Sequence, residues 1–192
     1  MIILFFIAKF CRELGVKKQI KLLEEWGGFP TLTMLRNRDN SIDSATKKRY
    51  HHFLKKNVKG IVIPNLQEEL RKPDFYDQQY NSAVKWLLEK TRDKHKYYLL
   101  FQDNINYGFS RNMLGVKPIG IIISILAIII NIFGVSQNYN LNWNELPLKI
   151  WLTFLIDIIF LFLWVFFVTK NWVNNTAVAY ARTLLASCEK ID

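Results

Sequence analysis

Two apolar runs separated by a short polar stretch leave this chain few ways to fold. Ile119 to Val135 has no charge and one strongly polar side chain, Asn131, and Ile150 to Thr169 has one charge, Asp157. At about 1.5 Å of rise per residue, roughly 17–25 apolar residues cross the hydrocarbon of a bilayer as a helix. The second run is long enough, and the first lies at the lower limit. Between them Ser136 to Lys149 is polar, rich in Asn, and contains Pro147, which stops an unbroken helix. The pattern predicts a helical transmembrane hairpin over 118–170. A buried hairpin in a soluble protein is the rival reading, but core helices rarely run this long with so few polar positions.

The mean hydropathy of +0.05 conceals two unlike parts. Residues 1–117 hold 22 of the 26 Lys and Arg and 12 of the 16 acidic residues, whereas residues 118–192 hold four of each. The hairpin loop carries only Glu145 and Lys149, while Arg111, Lys117 and Lys170 flank the opposite ends of the two runs. The positive-inside tendency then predicts both termini in the cytoplasm and loop 136–149 outside, in a bacterial inner membrane. Trp143, Trp151, Trp164 and Trp172 lie towards the ends of the second run, where indole rings favour the headgroup layer. The same bias accounts for much of the net charge of +10, so nucleic acid is not the expected partner. Cys11 and Cys188 should both be reduced thiols, in a spacing that matches no metal motif.

The expected fold class is mainly α: a basic helical cytoplasmic domain over 1–117, the hairpin over 118–170, and a helical cytoplasmic tail over 171–192. Residues 1–10 are apolar except for Lys9 and lack a signal peptide's basic leader and cleavage site. They are too short to span and read as the start of an amphipathic helix at the inner interface, or else as an ordinary buried helix end. That helix, weakened at Gly15, should run to Trp26 and stop at Gly27-Gly28-Phe29-Pro30. Thr31 to Leu35 fits a short strand or a helical turn, and Arg36 to Asn40 a loop. Asp43 or Ser44 should cap a helix containing Tyr50, Phe53 and Leu54. An extended link over Gly60–Pro64 and a short helix over Leu66–Arg71 come next. Asp74 should cap another helix, with Tyr76, Tyr80, Ala83, Val84 and Leu87 on one stripe. In 96–113 a break near Tyr107-Gly108 is expected, and Gly115 and Pro118 permit a bend. After Pro147 one helix should continue to about Cys188, weakest at Asn174-Asn175. Ala177, Ala181, Leu184 and Cys188 make a small-and-apolar stripe, suited to a second subunit or to the chain's own domain.

No catalytic pattern stands out. The chain has no phosphate loop, GxSxG elbow, HExxH or CxxC, and no enzyme activity, metal site or cofactor is expected. His51 and His52 are adjacent, so on a helix they point about 100° apart and suit no shared ion. Glu24-Glu25 and Glu68-Glu69 read as solvated helix faces. Arg36, Arg38, Lys47, Lys48 and Arg49 surround one loop and helix start. They suit a phosphate-bearing ligand or an anionic headgroup, or else form a solvated basic face. Arg111 and Lys117 are candidates for lipid phosphate. Polar groups inside the apolar runs are the stronger clue, because lipid makes them costly. Asn131 and Asp157 differ in depth by about one helical turn and should bond within the hairpin or leave Asp157 facing a lumen between subunits. Thr153 precedes Asp157 by four residues on the same face.

The layout of hairpin and flanks resembles the small two-transmembrane effectors of bacterial antiviral defence, the SLATT-type class. The resemblance implies an oligomer that breaches or depolarises the inner membrane when a cytoplasmic sensor or ligand triggers it. The lipid bilayer, further copies of the chain and a cytoplasmic sensor protein or anionic ligand are then the expected partners. A membrane anchor or scaffold that recruits a cytoplasmic partner is the alternative.

Overall fold

Glycine ends the first helix. In the computed structural model, which describes residues 2–139 and 146–191, α1 runs from Ile2 to Trp26 and stops where Gly27 (φ 70°) and Gly28 (φ 128°) turn the chain. Pro30 then opens α2, the single helical turn Pro30–Thr33, so the helical alternative holds at Thr31. The Asp43 side chain accepts from the Thr46 N–H and caps α3, Ser44–Asn57. Asn65 and Glu68 form a reciprocal capping box on α4, Leu66–Arg71. Pro73 occupies the first position of α5, Pro73–Lys90, so Asp74 lies in its first turn and is not its cap. Loops join these elements, and no strand occurs among the described residues.

Helix α6 runs unbroken from Tyr98 to Tyr139. It passes through Tyr107-Gly108, Gly115 and Pro118 without the expected break and carries Ser136–Tyr139 beyond the apolar run. Proline removes one hydrogen bond in a helix that has many others, and a Cβ at Gly108 would meet nothing within 4 Å. The expectations for Asn140 to Glu145, Trp143 included, fall outside the described residues.

The second apolar run forms α7, Leu148–Phe162, continued by a π-helical turn at Leu163–Phe167. With the π turn it has 20 residues, long and apolar enough to cross a membrane, as is α6. It does not continue to Cys188. Val168, at φ −77° and ψ 89°, leaves the helix, and the Thr169 hydroxyl accepts from the Trp172 N–H to start α8, Lys170–Ala186. The break falls at β-branched Val168-Thr169, not at Asn174-Asn175. A 3-10 turn, Ser187–Glu189, follows α8.

The chain divides into two compact units. One, the hairpin unit, comprises residues 1–19 and 110–173; the other, the core unit, comprises 20–109 and 174–192. Residues 1–19 therefore group with the apolar helices and not with 20–109, and the tail from 174 groups with 20–109.

The core unit is built around Leu35, Leu54, Tyr80, Ala83 and Leu87, joined by Ala181, Leu184, Leu185 and Cys188 of the tail. Leu184 is fully buried there. This resolves the tail stripe in favour of the chain's own domain. The stripe predicted on α5 is likewise core-facing, with Tyr80, Ala83, Val84 and Leu87 buried. In the hairpin unit Val135, Leu146 and Phe154 form a small buried cluster with Tyr139 and Ile150. Most other large apolar side chains of its long helices are exposed, as at Ile130 (68%) and Phe166 (66%).

Candidate functional site

The polar insertions of the hairpin unit pair with one another. Asn131 on α6 and Asp157 on α7 are both half-buried, and the Asn131 amide donates to the Asp157 carboxylate. The pair sits one helical turn from the cluster of Val135 and Phe154, which holds the two helices together beside it. Thr153 does not join them. Its hydroxyl is bonded back to the carbonyls of Lys149 (3.0 Å) and Ile150 (2.8 Å) in its own helix. Buried Ser124 behaves similarly, donating to the Gly120 carbonyl at 2.9 Å.

At the other end of α7 a lysine closes the helix. The π turn leaves carbonyls without regular partners, and Lys117 of α6 donates to Val165 (2.9 Å) and Val168 (2.8 Å). One turn on, Gly120 lets the Trp164 indole lie against the α6 backbone, since a Cβ there would stand 2.2 Å from the ring. A second close approach joins α1 to α6. A Cβ on Gly115 would lie 2.4 Å from the Gly15 nitrogen, and one on Gly15 would lie 2.8 Å from the Asn112 Cα. Beside this crossing Arg111 donates to the Gln19 side chain at 3.0 Å and to the Asn112 side-chain oxygen at 3.1 and 3.2 Å. Arg111 and Lys117, the lipid-phosphate candidates, thus each have protein acceptors.

The basic residues of the core unit are also drawn into its fabric. Arg36 makes a two-pronged contact with Asp77 (2.9 and 2.7 Å) and donates to the Gly27 carbonyl at 2.8 Å. Lys47 is buried and bonds the carbonyls of Arg36 (2.7 Å) and Asp39, and burial holds its pKa below the usual lysine range. Arg49 reaches Glu189 at 2.8 Å and Thr46 at 3.0 Å, and Arg38 lies 3.8 Å from Glu69. Lys48 is exposed. The depression bordered by Asn37, Asp39, Ser44, Lys47 and Lys48 measures about 120 Å³, room for a few waters.

Glu69 corrects the expectation of a solvated face. It is fully buried and accepts from the Asn37 backbone (2.7 Å) and side chain (3.1 Å), the Tyr80 hydroxyl (3.0 Å) and the Arg38 N–H (3.4 Å). Its neighbour Glu68 faces solvent in the capping box, so adjacent carboxylates have opposite fates. Burial, with Glu69 close by, pushes the Tyr80 hydroxyl far above the ordinary tyrosine range. His51 stacks on Tyr80, bonds the Leu35 carbonyl at 2.7 Å, and has its pKa lowered by burial. His52 is exposed. Burial also raises the Cys188 thiol to about 12. No pattern of spacing marked Glu69, because its partners lie more than 10 residues away in sequence.

Among the described residues no three His, Cys, Asp or Glu side chains come together to hold a metal ion. Chemically, then, the best-defined feature is a carboxylate and an amide facing each other between two apolar helices. Comparison with protein-family models, with curated proteins and with solved structures finds no match for this chain.

Proposed function

We propose that this chain is an integral protein of the bacterial inner membrane whose hairpin crosses the bilayer with both ends in the cytoplasm. In this reading it assembles with further copies of itself and permeabilises or depolarises the membrane under control of its basic helical part. The observation that carries the reading is Asp157, the one charge in the apolar run Ile150 to Thr169, whose neighbours are largely exposed. A charged group at the centre of a lipid-facing helix costs at least about 2.5–3.5 kcal/mol on insertion scales, and such groups mark ion pathways. Two helices enclose no lumen, but one Asp157 from each of several copies would form a ring that favours cations. Asn131 then holds the carboxylate in the resting state.

The anchor reading keeps one specific observation in its favour: the Asn131–Asp157 bond already satisfies both groups inside one hairpin. The two readings part on Asp157→Asn, which keeps an acceptor for Asn131 and removes the charge. A permeabilising effector should keep expression and assembly but lose cation leakage in liposomes, under conditions where the wild type leaks. Equal leakage from both proteins would make Asp157 structural. No leakage from either under any trigger would remove the effector reading and leave the anchor.

A further inference from the structure

We propose that residues 2–10 of α1 are a third membrane-embedded element, immersed in the hydrocarbon of the same bilayer as the hairpin; this rests on the membrane reading above. Every large apolar side chain from Ile2 to Phe10 is between 51% and 74% exposed. Successive helical residues turn by about 100°, so Ile2 to Ile7 present apolar groups to all sides. A helix lying in the interface plane needs a polar face as well as an apolar one, and over 2–10 only Lys9 is polar. The expectation of an amphipathic interfacial helix therefore does not fit this segment. Nor is it a buried helix end, since none of the described residues covers it.

The register of α1 against α6 sets the direction in which the segment leaves. Gln19 meets Arg111, while Gly15 meets Asn112 and Gly115, so residue numbers fall along α1 as they rise along α6. The two helices cross antiparallel in backbone contact. From Gly15 towards Ile2 the chain thus heads to the side on which α6 passes through Pro118 into its apolar run. It does not pack on that run, because residues 2–10 are exposed throughout. From Phe10 back to Ile2 the helix is roughly 12 Å long, about two-fifths of a hydrocarbon core of about 30 Å. Exposed Arg12, Lys17 and Lys18 then stand at the level where the apolar segment ends, suited to anionic headgroups, and Lys9 reaches the same level with its long stem. Hydrocarbon is the occupant that suits a helix apolar on every face, continuous with a unit whose other long helices are equally apolar.

Spin labels test this one position at a time. Ile3→Cys, Leu4→Cys, Phe5→Cys, Phe6→Cys and Ile7→Cys are each made in a Cys11→Ser background and labelled in the full chain. The proteins are reconstituted in phosphatidylethanolamine–phosphatidylglycerol vesicles. Accessibility to oxygen, which concentrates in hydrocarbon, is compared with accessibility to a water-soluble nickel chelate. The expected result is oxygen above nickel at all five positions, with no helical period. A period of about 3.6 residues with nickel-accessible positions would show a surface-lying helix and overturn the proposal. Low accessibility to both reagents, with spin–spin broadening, would overturn it in favour of a second copy as occupant. An Ile129→Cys label in α6 separates the two levels of inference. Oxygen-rich behaviour there with nickel-rich behaviour at 3–7 sinks the α1 proposal alone, whereas nickel-rich behaviour at 129 sinks the membrane reading itself.

Discussion

Four glycines on α6 should respond to one methyl group with opposite signs. At Gly115 a Cβ would stand 2.4 Å from the Gly15 nitrogen, 2.6 Å from the Leu14 carbonyl carbon and 2.7 Å from the Gly15 Cα, where ordinary contact begins at 3.4 Å. All three obstacles are backbone atoms, so no side chain can rotate aside and α1 must move off α6 by about 1 Å. Overpacking costs about 1–3 kcal/mol, and an immovable obstacle puts Gly115→Ala at or above the top of that range. Alanine returns about 1 kcal/mol of helix propensity, leaving a net loss of about 2 kcal/mol. At Gly108 and Gly134 a Cβ meets nothing within 4 Å, so alanine there should stabilise by about 0.5–1 kcal/mol. Gly120→Ala should be destabilising, because the Trp164 ring occupies the space, but less so than Gly115→Ala, because a ring can tilt. Reversible unfolding in mixed micelles, followed by far-ultraviolet circular dichroism, reads all four variants on one scale. If Gly115→Ala proves as stable as Gly108→Ala, the backbone contact between α1 and α6 is wrong.

The core unit supplies three further expectations. Glu69→Gln replaces an acceptor by a donor facing the Asn37 and Tyr80 donors, and should cost about 2–4 kcal/mol in urea unfolding; a loss below about 0.5 kcal/mol would mean the side chain is solvated. His51 has a folded pKa below its ordinary 6.5, so the unfolded chain takes up the proton first. Stability is then fully present above pH 6.5 and falls as pH drops below it, and thermal unfolding of His51→Phe should show a shallower slope between pH 7.5 and 5.5 than the wild type. Cys188, buried with its thiol raised to about 12, should resist maleimide at pH 8 until the unit unfolds, while half-exposed Cys11 reacts in the folded protein; mass spectrometry of the labelled peptides distinguishes them.

Much of the local chemistry was legible in the sequence, although Pro73 displaced Asp74 from the cap of α5. The Gly27-Gly28 stop, the Asp43 cap, the bounds of α4 and the apolar stripe of α5 could all be read off spacing and residue type. The long apolar runs likewise dictated α6 and α7. Continuity of α6 was missed because Tyr107-Gly108 read as a break and Gly115 and Pro118 as places for a bend, whereas Gly115 allows close approach to Gly15. The Val168-Thr169 break was missed because Lys117, some fifty residues away, closes the helix end. Asn131 and Asp157 stood out because each interrupts an apolar run, and the two are hydrogen-bonded to each other. The fate of Arg36, Lys47 and Glu69 depended on acceptors and donors brought together only by folding, and no spacing rule announces those.

Impermeant cysteine labelling in intact bacteria tests the membrane reading most directly. Asn138→Cys, exposed at the end of α6, and Lys59→Cys, exposed in the core unit, are compared in a Cys11→Ser background. The hairpin topology predicts that a membrane-impermeant maleimide modifies position 138 from outside and reaches position 59 only after the inner membrane is opened. Modification of position 59 in intact cells, or protection of position 138, would contradict it.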